Sequence, residues 1–214
     1  AFAGCTKLQC SQLNGGTSYI PQQLKKIGLG AFVGCVGLTG ALNFNNVNQN
    51  GNYVSSINLL GSAAFMGCVG LNGVLSLPIN FDYQNVLPYT FASLDAPLFA
   101  VSGASMNGVT GAPMALTGVI DLSLTPTVTT VERDAFYNCA ALSSLNLSNS
   151  VTSVGIQAFM QCIGLQSILM IPASVKAIGD EAFRSCSGLT GLNIVSTMVS
   201  QTASNAWLSL GNSC

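Results

Sequence analysis

A triplet of phenylalanine, cysteine and leucine recurs six times along the chain with unchanged internal spacing. In each copy the cysteine follows the phenylalanine by three positions and the leucine by six, as in "AFRSCSGL" (182–189). The last two intervals between successive phenylalanines are 23 and 24 residues, and the first two are 30 and 33. Periods of this length are typical of repeat architectures. The ladder residues, as we call them, are Phe2, Phe32, Phe65, Phe136, Phe159, Phe183, Cys5, Cys35, Cys68, Cys139, Cys162, Cys186, Leu8, Leu38, Leu71, Leu142, Leu165 and Leu189.

The residues on either side of each triplet predict the rest of the unit. Short alternating stretches such as "LSSLNL" (142–147) and "LTGLNI" (189–194) indicate strands after the leucine. A second extended piece, for example "SVKAIG" (174–179), precedes the next triplet. The triplet itself has apolar residues at helical spacing. A single unit of this kind cannot bury its own apolar side chains, so the units are expected to stack into a solenoid.

We expect one solenoid over residues 1–214 with about nine rungs. It is regular at 1–77 with loop insertions, degenerate at 78–126 and tight at 127–194, and a partial last rung occupies 195–214. Neither end carries a charged cap, and no basic-then-apolar leader precedes the first triplet. Solenoids normally need polar capping units, so either these residues are a piece of a longer array or their open ends abut neighbouring copies head to tail.

The unit "LQSILMIPASVKAIGDEAFRSCSGL" (165–189) resembles the BspA-type leucine-rich repeat. The resemblance extends over the chain and is weakest in 78–126. It implies a right-handed coil with short parallel β-strands and one short helical turn per rung. It also implies a cell-surface or secreted protein, often with adhesive or host-contact roles. No catalytic or ligand residue follows from it.

The low charge of the chain argues against some classes of binding partner and favours others. Only 6% of residues are charged and the formal net charge is −1, which argues against a nucleic-acid surface. No apolar run approaches the roughly 18 residues that cross a bilayer. A surface made of Ser, Thr, Asn, Gln and Gly has little charge repulsion and tends to associate. The expected partner is therefore another copy of the chain, in a homo-oligomer or fibre.

The cysteine pattern does not favour a metal site or a cofactor. Metal-binding cysteines come in close pairs or with histidine, whereas this chain places one cysteine in each unit and has no histidine. Disulfides between neighbouring rungs are disfavoured because parallel side chains stay about 4.8 Å apart, farther than a disulfide's Cβ atoms. The six ladder cysteines are interpreted as small buried apolar side chains.

Cys10 and Cys214 stand outside the column, near opposite ends of the chain. One hypothesis is an inter-subunit disulfide between the tail of one copy and the head of the next. The alternative is that Cys10 merely occupies a position that holds a small residue in other units.

Nothing in the sequence predicts an enzyme. The chain has no histidine and neither of the glycine-rich phosphate-binding patterns. The carboxylates of Asp180 and Glu181, and those in the Glu132–Asp134 segment, are interpreted as local structural groups at the start of turns.

We therefore expect an extracellular or cell-surface structural protein whose open-ended rod self-associates, head to tail, into a larger assembly. The alternative is a surface adhesin that binds a host or neighbouring-cell protein. Its protein-binding aromatic residues would be Phe44, Tyr53, Phe81, Tyr83, Tyr89 and Phe99, which lie in the insertions. The triplet Asn146–Ser148 matches a glycosylation acceptor, a weak signal in a strand.

Overall fold

The computed structural model describes residues 2–5, 7–8, 24–44, 46–47, 53–55, 57, 59–61, 63–76, 85–86, 116–124 and 128–195. The chain in these ranges forms short strands joined by tight turns, with one short 3-10 helix at Leu122–Leu124. The strands are β1 (Lys26–Ile27), β2 (Leu42–Asn43), β3 (Asn46–Val47), β4 (Tyr53–Val54), β5 (Leu59–Leu60), β6 (Leu75–Ser76), β7 (Asn85–Val86), β8 (Gly118–Asp121), β9 (Thr130–Val131), β10 (Leu142–Asn146), β11 (Ser153–Val154), β12 (Ser167–Ile171), β13 (Ala177–Ile178) and β14 (Leu189–Ile194).

In each rung one strand precedes the triplet turn along the chain and another follows it. The strands that precede the turns form one stack, the back strands, and those that follow the turns form a second stack, the front strands. The front strands are β2, β6, β8, β10, β12 and β14, which pair in parallel as β2–β6, β8–β10 and β12–β14. A bridge between Val74 and Thr117 links the β6 and β8 segments. The back strands pair in parallel as β1–β5 and as β7–β9–β11–β13. One rung is thus a back strand, a triplet turn and a front strand, and the predicted repeat solenoid is confirmed.

An antiparallel pair interrupts this pattern in the asparagine-rich insertion. Strand β3 pairs with β4 in register Asn46 to Val54 and Val47 to Tyr53. Because antiparallel strands can be joined by a short connection, an insertion of this length forms a local hairpin without disturbing the parallel stacks.

The triplet turn is a series of tight turns rather than an α-helix. The Cys35 amide donates to the Phe32 carbonyl at 3.1 Å, and the Leu38 amide donates to the Cys35 carbonyl at 3.1 Å. Residues two positions before and after each phenylalanine have positive φ, for example 56° at Glu181 and 60° at Ser185. The first rungs place glycine at most of these positions, Gly30 with φ 55° among them, and Ala63 at one. Glycine adopts this conformation without steric cost, whereas other residues accept roughly 1 kcal/mol of strain.

Alternate backbone amides of the turn bond to the next rung along the chain. The Phe136 amide donates to the Ala158 carbonyl at 2.8 Å, and the Phe159 amide donates to the Ala182 carbonyl at 2.8 Å. The Asn138 amide likewise donates to the Met160 carbonyl at 2.8 Å. The turns therefore stack like strands of a sheet, and their amides point consistently toward higher residue numbers.

Within the described ranges, residues 78–126 contribute one strand to each stack, β7 to the back and β8 to the front. Thr117 bridges Val74 on one side, and Gly118 pairs with Leu142 on the other, so β8 is the one front strand between β6 and β10. On the back, β7 pairs directly with β9. The count of about nine rungs and the boundaries given above remain predictions, because 9–23, 87–115 and 196–214 lie outside the description.

Close stacking leaves no room for a side chain at certain glycines. A Cβ atom added to Gly179 would lie 2.4 Å from the Ile156 backbone nitrogen of the preceding rung. A Cβ atom added to Gly191 would meet only the Ile168 side chain, at 3.6 Å. The first distance is a clash with backbone, and the second is an ordinary contact.

We expect Gly179→Ala to lower the free energy of unfolding by about 1–3 kcal/mol, since the backbone of the preceding rung must shift. Gly191→Ala is the matched control and should change it by less than about 1 kcal/mol. Denaturant unfolding monitored by circular dichroism measures both values. Equal stability of the two variants would contradict the backbone contact.

Candidate functional site

The ladder residues of the inner rungs lie inside the coil. Phe136, Phe159 and Phe183 are fully buried, and their rings stack with centroids 5.2 and 5.4 Å apart and planes 3–4° from parallel. A second stack joins Phe2, Phe32 and Phe65 at 5.5 and 5.2 Å. The buried ladder cysteines are Cys35, Cys68, Cys139, Cys162 and Cys186, and the buried ladder leucines are Leu38, Leu71, Leu142, Leu165 and Leu189.

The first rung departs from this arrangement. Phe2 is 48% exposed and Cys5 is exposed, whereas the repeat predicts that both are interior. Leu8 is only partly buried against the core. The physical reason is that the described part of the chain covers these side chains from one side, by the rung that contains Phe32.

The thiols of the ladder act as hydrogen-bond donors. The Cys162 Sγ donates to the Phe136 carbonyl at 3.1 Å, and the Cys186 Sγ donates to the Phe159 carbonyl at 3.0 Å. The Cys35 and Cys68 thiols do the same toward the rung before each of them, both at 2.9 Å. The Phe136 carbonyl also accepts the Cys139 amide of its own turn at 3.2 Å, so both of its lone pairs are used.

Sequence reasoning missed this role, because it treated cysteine as an apolar side chain. A signal was nevertheless present. In a turn with three-residue spacing, the carbonyl of the phenylalanine accepts one amide and keeps one lone pair, which a small donor on the next rung can satisfy.

Burial makes these thiols poor nucleophiles and poor metal ligands. Desolvation raises the pKa of Cys139, and it raises the pKa of Cys186 to about 12. Desolvation also raises the pKa of Cys162, with the charges of the neighbouring thiolates adding to the effect. Since the thiolate is the reactive and metal-binding form, these sulfurs stay protonated and inert. Within the described ranges, no three His, Cys, Asp or Glu side chains converge on a point.

The raised pKa of Cys186 predicts a loss of stability at high pH. An unfolded thiol ionises near pH 8.5, whereas the folded one stays protonated. The contribution is therefore complete below about pH 8.5 and declines at higher pH by up to about 1.4 kcal/mol per pH unit. Denaturant unfolding between pH 8 and pH 11 should show a shallower decline for Cys186→Ala than for the parent. Ser187→Ala, an exposed neighbour, should keep the parent slope, and a parent slope in both variants would contradict the prediction.

Two of the carboxylates considered as acid–base groups, Glu181 and Asp134, have clear structural surroundings. Glu181 forms an ion pair with Arg184, and its Oε2 accepts Gln157 Nε2 of the preceding rung at 2.6 Å. The hydrogen bond from Gln157 lowers the pKa of Glu181, with a further contribution from Arg184. Asp134 is buried in its turn. The Gln157–Glu181 hydrogen bond therefore joins one rung to the next, whereas the ion pair with Arg184 lies within one turn.

The front strands expose two rows of side chains, one on either side of an inward-facing row that includes Ile120 and Leu169. We call them the first row and the second row, in order along each strand. The first row comprises Ala41, Val74, Val119, Ser144, Ile168 and Gly191, and the second comprises Asn43, Asp121, Asn146, Met170 and Asn193.

Each row has its own chemistry. In the first row Val74, Val119 and Ile168 are large apolar side chains with about half or more of their surface exposed. The second row is mostly amide and carboxylate: Asn146 Nδ2 donates to Asp121 Oδ1 at 2.9 Å across the β8–β10 pair. The same oxygen accepts the Ser123 hydroxyl at 2.6 Å and the Ser123 amide at 3.0 Å. The front face is thus an apolar strip beside a polar, nearly uncharged one.

The aromatic residues proposed for adhesion are not brought together. Phe44 is buried at 1% exposure and packs edge-on against Phe65 at 5.8 Å, so its assignment as an exposed contact residue is wrong. Its position ends a front strand where the chain turns inward. Tyr53 lies in β4, and its side chain is outside the description. Also outside the described residues are Phe81, Tyr83, Tyr89 and Phe99, together with Cys10 and Cys214.

Comparison with known families agrees with the geometry. The family model described as BspA type leucine-rich repeat region matches residues 1–95 and 115–210 in six copies. Among proteins with curated descriptions, none is detectably similar. No helix in the described ranges has the length and apolar character needed to cross a membrane.

Similar solved structures are bacterial leucine-rich repeat proteins. One from Bacteroides ovatus is 18% identical with a TM-score of 0.56, and the match covers 92% of this chain and 51% of that protein. This chain therefore spans about half the length of that protein. The leucine-rich repeat protein of T. pallidum is 19% identical with a TM-score of 0.41, and covers 82% of this chain and 67% of its own. One from Eubacterium ventriosum is 16% identical with a TM-score of 0.42, and covers 84% and 42%.

Proposed function

Because this chain belongs to the BspA-type leucine-rich repeat family, we propose that it is a non-enzymatic structural protein that associates head to tail with further copies of itself. Leucine-rich repeats are generally scaffolds for protein–protein interaction, and proteins of this type are typically associated with the cell surface. Beyond the family membership, we propose a head-to-tail mode of association and an extracellular or cell-surface location.

The repetition of one stacking interaction from rung to rung carries the proposal. Phe159 and Cys162 are buried between neighbouring rungs, where the Phe159 ring stacks on Phe136 and the Cys162 thiol donates to the Phe136 carbonyl. An aromatic ring beside a thiol donor is the surface that each inner rung offers to the rung before it, and Phe2 and Cys5 are the same pair of residues in their own turn. Another triplet turn is therefore the best-fitting partner for this surface.

The stacking interaction has a direction, which explains why such an association is head to tail. Each turn directs amides such as that of Phe136 toward the following rung. Each turn also directs its thiol, such as that of Cys162, toward the preceding rung. One side of a rung is complementary to the opposite side of any other rung and not to itself. Contacts of this heterologous type propagate without closing.

The low charge of the chain supports the same mode. With 6% charged residues and a net charge of −1, end-to-end contact brings little repulsion. The disulfide between Cys10 and Cys214 is retained as a hypothesis for a covalent link across such a junction.

The test compares Phe2→Glu with Ile163→Glu by sedimentation velocity over a concentration series. Ile163 is 52% exposed in a turn outside the front strands and serves as the matched control. The parent and Ile163→Glu should form species longer than one chain, whereas Phe2→Glu should weaken the association by roughly tenfold or more, since a carboxylate would be buried against a stacked ring.

Electron micrographs of the same samples give an independent measurement, with end-to-end rods expected for the parent and for Ile163→Glu but not for Phe2→Glu. Dispersed single chains of the parent at every concentration would overturn the assembly. If those single chains bound a protein from a host or neighbouring cell, the adhesin alternative would replace it. Of the aromatic residues considered for adhesion, Phe44 is buried and offers no exposed contact.

A further inference from the structure

We propose that the front face binds the front face of a second copy, in an antiparallel arrangement around a two-fold axis between β8 and β10. This lateral contact differs from the head-to-tail contact and does not depend on it. It joins side surfaces of two coils, whereas the first joins their ends.

The first observation is exposed apolar surface in a repeating position. Ile168 is 58% exposed and Met170 49%, on adjacent outward positions of β12. Val119 on β8 and Val74 beside β6 are exposed to about the same extent. Scattered single apolar residues need no explanation, but a strip along one face is typical of an interaction surface.

The second observation is the near absence of charge. Among the described front strands Asp121 is the single charged residue, and its Oδ1 accepts three hydrogen bonds. A face with this composition neither attracts a strongly charged partner nor repels an identical copy. The charged groups of the tight repeats, such as Lys176 and Arg184, lie outside the front strands.

The third observation is the spacing of the rows. Rungs of parallel strands lie about 4.8 Å apart, whereas an extended peptide presents side chains on one face about every 6.8 Å. An extended peptide laid along the row would lose register within about two rungs. A second coil has the same period and can make the same kind of contact at every rung.

Two two-fold arrangements bring the faces together, and chemistry separates them. An axis along the coil sets the first row of one copy against the second row of the other, so that Asp121 meets the partner's Val119. An axis along the strands sets like rows against each other. Val74 then meets the partner's Ile168, and the Asp121 carboxylate meets the amide of the partner's Asn146. Both arrangements bring some apolar side chains together, Ile168 with the partner's Met170 in the first and Val74 with the partner's Ile168 in the second. Only the second sets the Asp121 carboxylate against a hydrogen-bond donor instead of the apolar Val119 side chain, at the cost of placing Val119 opposite the partner's Ser144.

The area of the front face determines how strong the lateral dimer is expected to be. Six rungs about 4.8 Å apart, with strands of up to six residues, give on the order of 500 Å² per copy. The total is below the usual range for stable complexes, so an isolated pair is weak. Along a head-to-tail assembly the same face would recur, and the contacts would add through effective concentration.

The first experiment measures self-association of Ile168→Glu and Ile163→Glu against the parent by sedimentation equilibrium, all in the Phe2→Glu background, which removes the end-to-end contact. Ile168→Glu should reduce lateral dimerisation by roughly tenfold or more, and Ile163→Glu should not. Circular dichroism melts check that each variant folds. Equal dimerisation of both variants, or none in the background chain, would overturn the proposal.

A second experiment avoids dependence on the fold of Ile168→Glu. Chains carrying Val119→Cys and chains carrying Ser144→Cys, with tags of different mass, are mixed and oxidised. Because the proposed axis places Val119 opposite the partner's Ser144, the mixed cross-link should exceed both self cross-links and the level of the unsubstituted chain. A preference for self cross-links, or no cross-link above that level, rules the arrangement out. Binding of a foreign protein in place of the dimer would assign the face to adhesion.

Discussion

The phenylalanine carbonyl of each triplet turn holds the coil together. At Phe136 it accepts the Cys139 amide, which closes its own turn, and the Cys162 thiol, which fastens the next rung. The ring of the same residue stacks on Phe159 at 5.2 Å. One residue therefore joins local and inter-rung structure. Replacing its partner thiol by an apolar group would leave one of the lone pairs of a buried carbonyl unsatisfied.

This arrangement requires a strained turn, and the strain explains the residues around the triplet. Carbonyls and amides alternate toward the two neighbouring rungs only if positions two before and two after the phenylalanine are left-handed. The early rungs mostly use glycine there, such as Gly34, whereas the late rungs use polar residues such as Gln157 and Ser185. The late rungs offset the strain partly through side-chain bonds between rungs, as between Gln157 and Glu181. Stacking and turn conformation thus depend on each other.

The ladder spacing predicts the fold class and the family, and both are confirmed, because stacking forces like residues into register. It does not predict the thiol hydrogen bonds, since a buried cysteine in a list of apolar residues has no visible donor role. It misplaces Phe44, because an asparagine-rich insertion begins there and hides the end of a front strand. The repeat spacing also does not predict the two exposed rows of the front face, because these depend on the register of the strands.

Two of the three exposed apolar side chains of the first row lie beside irregularities of the strand pairing. The β14 strand carries one more residue than its neighbour β12, and the register shifts between Ser167 and Ile168. Ser167 has φ 93° at this shift, and Gly118 has φ 99° at the corresponding shift in the β8–β10 pair. The residue after each shift, Ile168 or Val119, is exposed. Other rungs hold Ala41, Val74, Ser144 or Gly191 at this outward position, so stacking does not fix the side chain there. The triplet positions hold like residues because they must stack, whereas the outward positions of the front strands vary, and the surface chemistry of this coil resides in that variation.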